Sequence, residues 1–71
     1  MDAGKTGAYL AALRKARGMT QQEAADQLGV SNKTVSKWEN GAGLPDITVL
    51  PALAELYGVT ADDILAGETL R

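Results

Sequence analysis

The run MTQQEAADQLGVSNKTVSKWENG, residues 19–41, predicts two short helices joined by a tight corner. Gly29 stands where the first helix must end, because glycine takes the left-handed conformation without a Cβ penalty. An apolar residue follows it, and Ser31 can then accept the free N–H groups that open the next helix. Two helices joined by about three residues form a helix-turn-helix. We predict this motif from helix 2, at about residues 21–28, and helix 3, at about residues 32–40.

The same order of residue types, a glycine, an apolar residue and a hydroxyl residue, occurs three times in the chain. The three copies stand at residues 18–20, 29–31 and 58–60, and we call each of them a corner. Each corner predicts the end of one helix and the start of the next. No stretch of strand length alternates with a period of two. The fold class is therefore all-α, and the prediction is a compact five-helix bundle.

The fourth helix is predicted from a cap and an apolar pattern. Asp46 can cap it, and Pro51 lies five residues further on, where proline kinks a helix or breaks it into a short turn and a longer helix. The apolar side chains that we place on this fourth helix are Ile47, Leu50, Leu53, Leu56 and Tyr57.

Length and composition exclude several classes of protein. Seventy-one residues make one domain, residues 1–71, with its core at about residues 6–66. Cysteine and histidine are absent, which excludes disulfides, zinc fingers and Cys or His nucleophiles, so we expect no metal, no cofactor and no enzyme activity. No apolar run reaches the length of a membrane span, and the N-terminus lacks a signal-peptide pattern. We therefore expect a cytoplasmic protein without membrane contact.

Charge is unevenly distributed along the chain, although the net charge is only −2. Residues 1–41 contain six basic and four acidic side chains, a net charge of +2, whereas residues 42–71 contain one and five, a net charge of −4. This asymmetry indicates that one part of the surface meets an anion.

Helix 3 divides into two faces on a wheel at 100° per residue. Val35 and Trp38 mark the inward face, where we expect Trp38 to pack in the core rather than stack on a base. The opposite face is polar and carries no acid; it consists of Lys33, Ser36, Lys37 and Asn40, with Asn32 at its edge. Such a face can enter a major groove, where lysine donates to guanine and asparagine bonds adenine. It can equally be a solvated face that reads nothing.

Glu39 falls on the inward face, where a lone carboxylate is costly. Arg14, near the end of the first helix, is its candidate partner through a bidentate guanidinium pair. This pair would fix the first helix against the third, and it would remove Arg14 from the cations available to DNA.

The corner at residues 58–60 gives an internal comparison. The helix after it begins with Asp62 and Asp63 near its start, whereas the helix after Ser31 begins with Asn32 and Lys33. Carboxylates complement the positive end of a helix dipole, but phosphate repels them. Of these two corners, the one at residues 29–31 is therefore predicted to meet DNA and the one at residues 58–60 only to cap a helix.

The run at residues 19–41, together with LPDITVLPALAELYGVTADDIL, closely resembles the helix-turn-helix regulators of Cro and phage-repressor type, the xenobiotic-response-element family. The resemblance covers about residues 6–66 and implies a fold of the lambda-repressor-like DNA-binding domain type. It implies base reading by Asn32, Lys33, Thr34 and Lys37. It implies phosphate contacts by Gln21, Ser31, Ser36, Asn40 and Gly41, and an internal ion pair between Arg14 and Glu39.

The resemblance also implies function: sequence-specific binding of double-stranded DNA by a transcriptional regulator of bacterial or phage type, as a homodimer on a palindromic operator. One departure is the loop at residues 42–45, which has no basic residue to clamp phosphate. The alternative is a protein-interaction module on the same fold, an antitoxin or sensor domain, which the acidic half of the chain favours. The candidate dimer contacts are Leu44, Ile64, Leu65 and Leu70, although core packing explains Ile64 and Leu65 equally well.

Overall fold

The computed structural model describes residues 1–70, and Arg71 lies outside the described residues. Within residues 1–70 the chain forms five helices and no strand, which confirms the all-α five-helix prediction. The helices are α1 (Ala3–Ala16), α2 (Gln21–Leu28), α3 (Asn32–Glu39), α4 (Leu50–Tyr57) and α5 (Ala61–Ala66).

All three corners are present. Gly29 and Gly58 have φ angles of 71° and 67°, the left-handed conformation that ends α2 and α4. The side chains of Thr20, Ser31 and Thr60 each accept a hydrogen bond from the backbone N–H three residues further on. The corner at residues 29–31 thus directs α3 away from α2 over three residues.

The fourth helix begins later than Asp46. Residues 47–49 form a turn, in which the Asp46 carboxylate accepts the Thr48 N–H at 3.3 Å, and α4 begins at Leu50 with Pro51 in its first turn. The expected break into a short turn and a longer helix is confirmed, because the missing N–H of proline costs nothing in the first turn. The placement of Ile47 on the apolar face of the helix is wrong: its side chain lies in the turn and is 77% exposed.

The core collects side chains from every helix. Its members, all buried, are Leu10, Ala25, Val35, Trp38, Leu50, Leu53, Tyr57 and Ile64. Val35 and Trp38 are the contribution of α3, so the opposite side of this helix faces outward.

A glycine on α1 sets how closely α1 approaches α3. A Cβ atom built on Gly7 would overlap the carbonyl oxygen of Trp38, so the backbones of the two helices touch at this point. Next to it, the buried hydroxyl of Thr6 donates to the carbonyl oxygen of Ile64 at 2.9 Å. α1 therefore holds the end of α3 on one side and α5 on the other.

Candidate nucleic-acid interface

The outward face of α3 is polar and largely exposed. Asn32, Lys33, Lys37 and Asn40 are exposed, whereas Thr34 and Ser36 are partly buried. The one acidic residue of α3, Glu39, lies on the other side of the helix. This face consequently presents amides, hydroxyls and two ammonium groups, the donors that recognise base edges and phosphates.

Glu39 is held inward by Arg14. Arg14 Nε lies 2.7 Å from Glu39 Oε2 and Nη2 lies 2.9 Å from Oε1, a bidentate pair, and Nη1 donates to the carbonyl oxygen of Met19 at 2.8 Å. The side chains of Arg14 and Glu39 are only 11% and 6% exposed. The pair joins the end of α1 to the end of α3, and neither charge faces the outward surface.

The surroundings of this ion pair shift three pKa values. Burial acts to raise the pKa of Glu39, but hydrogen bonds from Arg14 and Gln21 outweigh it and the net pKa is lowered. The hydrogen bond to Glu39 raises the pKa of Arg14. Burial, followed by the Glu39 charge, raises the pKa of Tyr57. Near neutral pH the pair is therefore fully ionised, with Tyr57 uncharged beside it.

The side chain of Gln21 turns towards the ion pair. Its Nε2 donates to Glu39 Oε1 at 3.1 Å, so Gln21 is the third group around this carboxylate. Sequence reasoning missed this contact, because the spacing along α2 does not show which side chain of α3 lies opposite. A phosphate contact by Gln21 stays a prediction.

The two hydroxyls at the start of α3 bond to each other. Ser31 Oγ accepts the Thr34 N–H at 3.1 Å and lies 2.9 Å from Thr34 Oγ1. Thr34 is thereby turned towards the corner, and the residue as a whole is partly buried. The roles of Ser31 at phosphate and of Thr34 at a base remain predictions.

The backbone N–H groups at the end of α3 already have acceptors. The N–H of Asn40 bonds the carbonyl of Ser36 at 3.0 Å, and the N–H of Gly41 bonds the carbonyl of Trp38 at 3.1 Å. The side-chain amide of Asn40 is exposed and donates to Ser36 Oγ at 3.3 Å. The phosphate contacts predicted here would thus use side chains at Ser36 and Asn40 more readily than the N–H of Gly41.

Two further contacts shape the face and were not found from the sequence. The aliphatic chain of Lys37 lies across Gly43, where a Cβ atom would come within 3.1 Å of Lys37 Cε. At the other end, Asn32 Nδ2 donates to Gln22 Oε1 at 3.3 Å, and Gln22 Nε2 donates to Asp26 Oδ1 at 2.9 Å. The second contact was missed because Gln22 and Asp26 read as ordinary exposed residues of α2.

The candidate dimer contacts divide into exposed and core residues. Leu44 and Leu70 are exposed, as is Ile47. Ile64 is 0% exposed and belongs to the core, and Leu65 packs against that core, so Ile64 is unavailable to a second copy. Its backbone carbonyl oxygen accepts the Thr6 hydroxyl, so α5 meets α1 at this residue.

Residues 1–70 also bear on two other kinds of site, a membrane span and a metal centre. No helix in this part of the chain combines the length and the hydropathy that crossing a membrane requires. Nor do the residues described bring together three or more acidic side chains that could hold a metal ion.

The five-helix order, with α2 and α3 joined by a three-residue corner, defines a helix-turn-helix protein. A helix-turn-helix family model matches residues 10–64. The chain is 31% identical to the uncharacterized HTH-type transcriptional regulator YazB of Bacillus subtilis, over 96% of this chain and 99% of YazB. This chain belongs to the Cro/C1-type helix-turn-helix family of transcriptional regulators.

Other proteins similar to this chain are also regulators. The HTH-type transcriptional activator BcrR of Enterococcus faecalis is 41% identical over 82% of this chain. The crystal structure of the restriction-modification controller protein C.AhdI of Aeromonas hydrophila has a TM-score of 0.81 at 25% identity, covering 89% of this chain and 96% of C.AhdI. The chain spans 28% of the length of BcrR and about half of several other regulators.

Proposed function

We propose that the domain binds double-stranded DNA sequence-specifically, with α3 in the major groove. The observation that carries the proposal is the polarity of α3: its lysines and amides are exposed on one face, and its single carboxylate is paired with Arg14 on the other. In this class of protein the second helix of the motif enters the groove, and its first residues reach base edges. The domain would act by binding alone, without catalysis.

The chemistry of base reading follows from the exposed residues. Lys33 and Lys37 can donate to the O6 and N7 acceptors of guanine, and Asn32 can form a bidentate pair with adenine. Ser36 and Asn40 lie further along the same face and can bond phosphates, which position the helix without reading sequence. These assignments place sequence reading at the start and middle of α3.

We further propose a homodimer on a palindromic operator, located in the cytoplasm where bacterial DNA is found. The exposed apolar side chains of Leu44 and Ile47 lie close together in sequence and favour a contact between two copies. A two-fold dimer would place its recognition helices at half-sites about one helical turn apart. This contact would supply affinity that the loop at residues 42–45, without basic residues, does not.

The test is selection of bound sequences from a random duplex DNA library at physiological salt. We expect an enriched palindrome with half-sites about ten base pairs apart. One enriched half-site alone would show sequence reading by a monomer and would contradict the dimer. No enrichment, with retention that fades as salt rises, would contradict sequence-specific binding and favour a protein partner.

Salt dependence gives an independent measure of the interface. A dimer that neutralises about four phosphates with Lys or Arg side chains predicts a slope of roughly −3.6 for log K against log salt, because each neutralised phosphate contributes about 0.9. Lys33 is assigned to a base edge, so the Lys33→Ala dimer should keep a slope near roughly −3.6. A slope near roughly −1.8 in that variant would instead place Lys33 at a phosphate.

A further inference from the structure

The feature that leads beyond base contact is a row of three polar side chains across the helix-turn-helix. Asp26 Oδ1 accepts from Gln22 Nε2 at 2.9 Å, and Gln22 Oε1 accepts from Asn32 Nδ2 at 3.3 Å. Asp26 and Gln22 lie on α2 one turn apart, whereas Asn32 is the first residue of α3. The row therefore connects an acidic residue of α2 to a candidate base reader on α3.

Asp26 gives this row a direction. An ionised carboxylate accepts hydrogen bonds and cannot donate one, so the Gln22 amide must turn its NH₂ group towards Asp26. The amide oxygen of Gln22 then faces Asn32, and Asn32 must donate to it from its own NH₂ group. One N–H of Asn32 is used in this way, and the oxygen and the second N–H remain for a ligand. The order of acceptor and donor on the Asn32 amide is thereby fixed.

That order matters because adenine presents an ordered pair of groups in the major groove, the acceptor N7 beside the donor N6–H₂. When the base pair is reversed from A·T to T·A, the two groups appear in the opposite order across the groove. An amide held in one orientation matches one of these orders, and the same amide rotated by 180° matches the other.

We propose that Asp26, acting through Gln22, positions the Asn32 amide and so determines which strand must carry the adenine that Asn32 reads. The inference rests on the proposed DNA-binding function. It makes Asp26 a positioning residue for specificity, although its charge opposes DNA binding. Asp26 therefore has two separate effects. Its charge lowers affinity for any duplex, and its hydrogen bond to Gln22 creates discrimination at one base pair.

The test compares Asp26→Asn with the wild type by duplex selection and by competition titration. The base position read by Asn32 is first identified as the one that Asn32→Ala relaxes. There we expect the wild type to prefer A·T over T·A by about 5- to 150-fold, as a bidentate pair does. Asn at position 26 can donate as well as accept, so the Gln22 amide takes either orientation and this preference falls towards equality, while affinity for random duplex rises.

Two variants separate the relay from charge. Asp62→Asn removes the same charge from the exposed start of α5; it should raise affinity for random duplex similarly and leave the A·T preference intact. Gln22→Ala removes the relay at constant net charge and should lose the preference without the rise in affinity. Thermal melting checks that each variant folds.

The outcomes distinguish this inference from the proposed function. A wild-type domain that enriches no sequence would overturn both. Enrichment with a position that Asn32→Ala relaxes, but with an A·T preference unchanged in Asp26→Asn and Gln22→Ala, would overturn the role of Asp26 alone. Enrichment in which Asn32→Ala relaxes no position would also overturn it, since Asn32 would then read no base.

Discussion

The corner between α2 and α3 and the corner between α4 and α5 share one backbone design. Each ends a helix on a left-handed glycine, with a φ angle of 71° at Gly29 and 67° at Gly58, and each caps the next helix with a hydroxyl, Ser31 or Thr60. The residues that follow differ in charge and in burial. α3 begins with an exposed amide and an exposed lysine, whereas α5 begins with Ala61 followed by two acids, of which Asp63 is only 7% exposed.

Asp63 shows what the second corner does instead of meeting a ligand. Its carboxylate accepts the N–H of Thr60 at 3.1 Å and the N–H of Leu70 at 2.9 Å, so it closes the start of α5 and fixes the segment after it. The comparison shows that the three residues of a corner set its backbone geometry. The next three residues decide whether the start of the following helix is exposed for recognition or is bonded into the fold. Four predictions test this division.

The largest effect is expected beneath α3, where an ion pair keeps its recognition face free of acid. Glu39→Ala leaves Arg14 almost buried without its partner, which costs about 3–5 kcal/mol of unfolding free energy. Urea denaturation measures it. The matched control is Glu68→Ala, which breaks the exposed ion pair with Lys5 and should cost less than about 1 kcal/mol. Similar costs for the two variants would show that burial of the first pair adds nothing.

The same pair predicts a pH dependence with a defined sign. The pKa of Glu39 is lower in the folded protein than its ordinary value, so its contribution is complete above about pH 4.3 and is lost as pH falls through the folded pKa. The difference in stability between wild type and Glu39→Ala should therefore shrink below that pH. A difference that stays constant down to about pH 2 would contradict a lowered pKa of Glu39 in the folded protein.

The second prediction exchanges the chemistry of the two helix starts. Lys33→Asp gives α3 an acidic start like that of α5, and we expect DNA affinity to fall by at least about 1–3 kcal/mol as a contact is replaced by repulsion. Stability should not fall, because an acid near a helix N-terminus is favourable by about 0.3–1 kcal/mol. Fluorescence anisotropy and thermal melting measure the two quantities.

Asp62→Lys is the reciprocal control on α5. It adds positive charge to an exposed site, so affinity for any duplex should rise slightly while the selected sequence stays the same. A changed sequence preference in Asp62→Lys, or an unchanged one in Lys33→Asp, would show that the start of α3 is not the reading surface.

The third prediction concerns the design that the corners share. Gly29→Ala and Gly58→Ala each place a Cβ atom in the left-handed region, at a cost of about 1–2 kcal/mol. Nothing lies within 4 Å of the Cβ at position 29, whereas the Cβ at position 58 meets the flexible end of Arg17, which can move away. Chemical denaturation should therefore give nearly equal losses. A much larger loss at Gly58 would mean that Arg17 is fixed and that the corners differ in packing.

The sequence predicts features that depend on nearby residues. The corners follow from glycine and hydroxyl residues two positions apart, and the inward direction of Glu39 follows from the periodicity of α3 alone. Arg14 could be predicted as the partner of Glu39 because few basic residues lie near the end of another helix. The corners and the direction of Glu39 depend on residues close together along the chain, and this local geometry survives tertiary packing.

The features that were missed depend on which surfaces meet. In the sequence, Gly7 is only a residue of low helix propensity. The position of α3 shows that the missing side chain of Gly7 allows the backbones of α1 and α3 to touch. Ile64 and Leu44 are equally apolar in sequence, yet one is enclosed by α1 and the other is exposed. Asp46 bonds within the turn before α4 and does not cap the helix itself, because an aspartate caps a short turn as readily as a helix.

The smallest expected effect distinguishes the caps themselves. Ser31→Ala removes the acceptor of the Thr34 N–H, an exposed bond that water can replace, and we expect a loss of about 0.5–1 kcal/mol. Thr60→Ala removes the acceptor of the Asp63 N–H, which is partly buried, and because water reaches that group less readily the loss should be about 1–2 kcal/mol. Melting of the two variants under one set of conditions gives the difference. A larger loss in Ser31→Ala would contradict the division between the two corners. It would mean that the exposed corner at residues 29–31 depends more on its cap than the corner at residues 58–60, which Asp63 and the segment after α5 enclose.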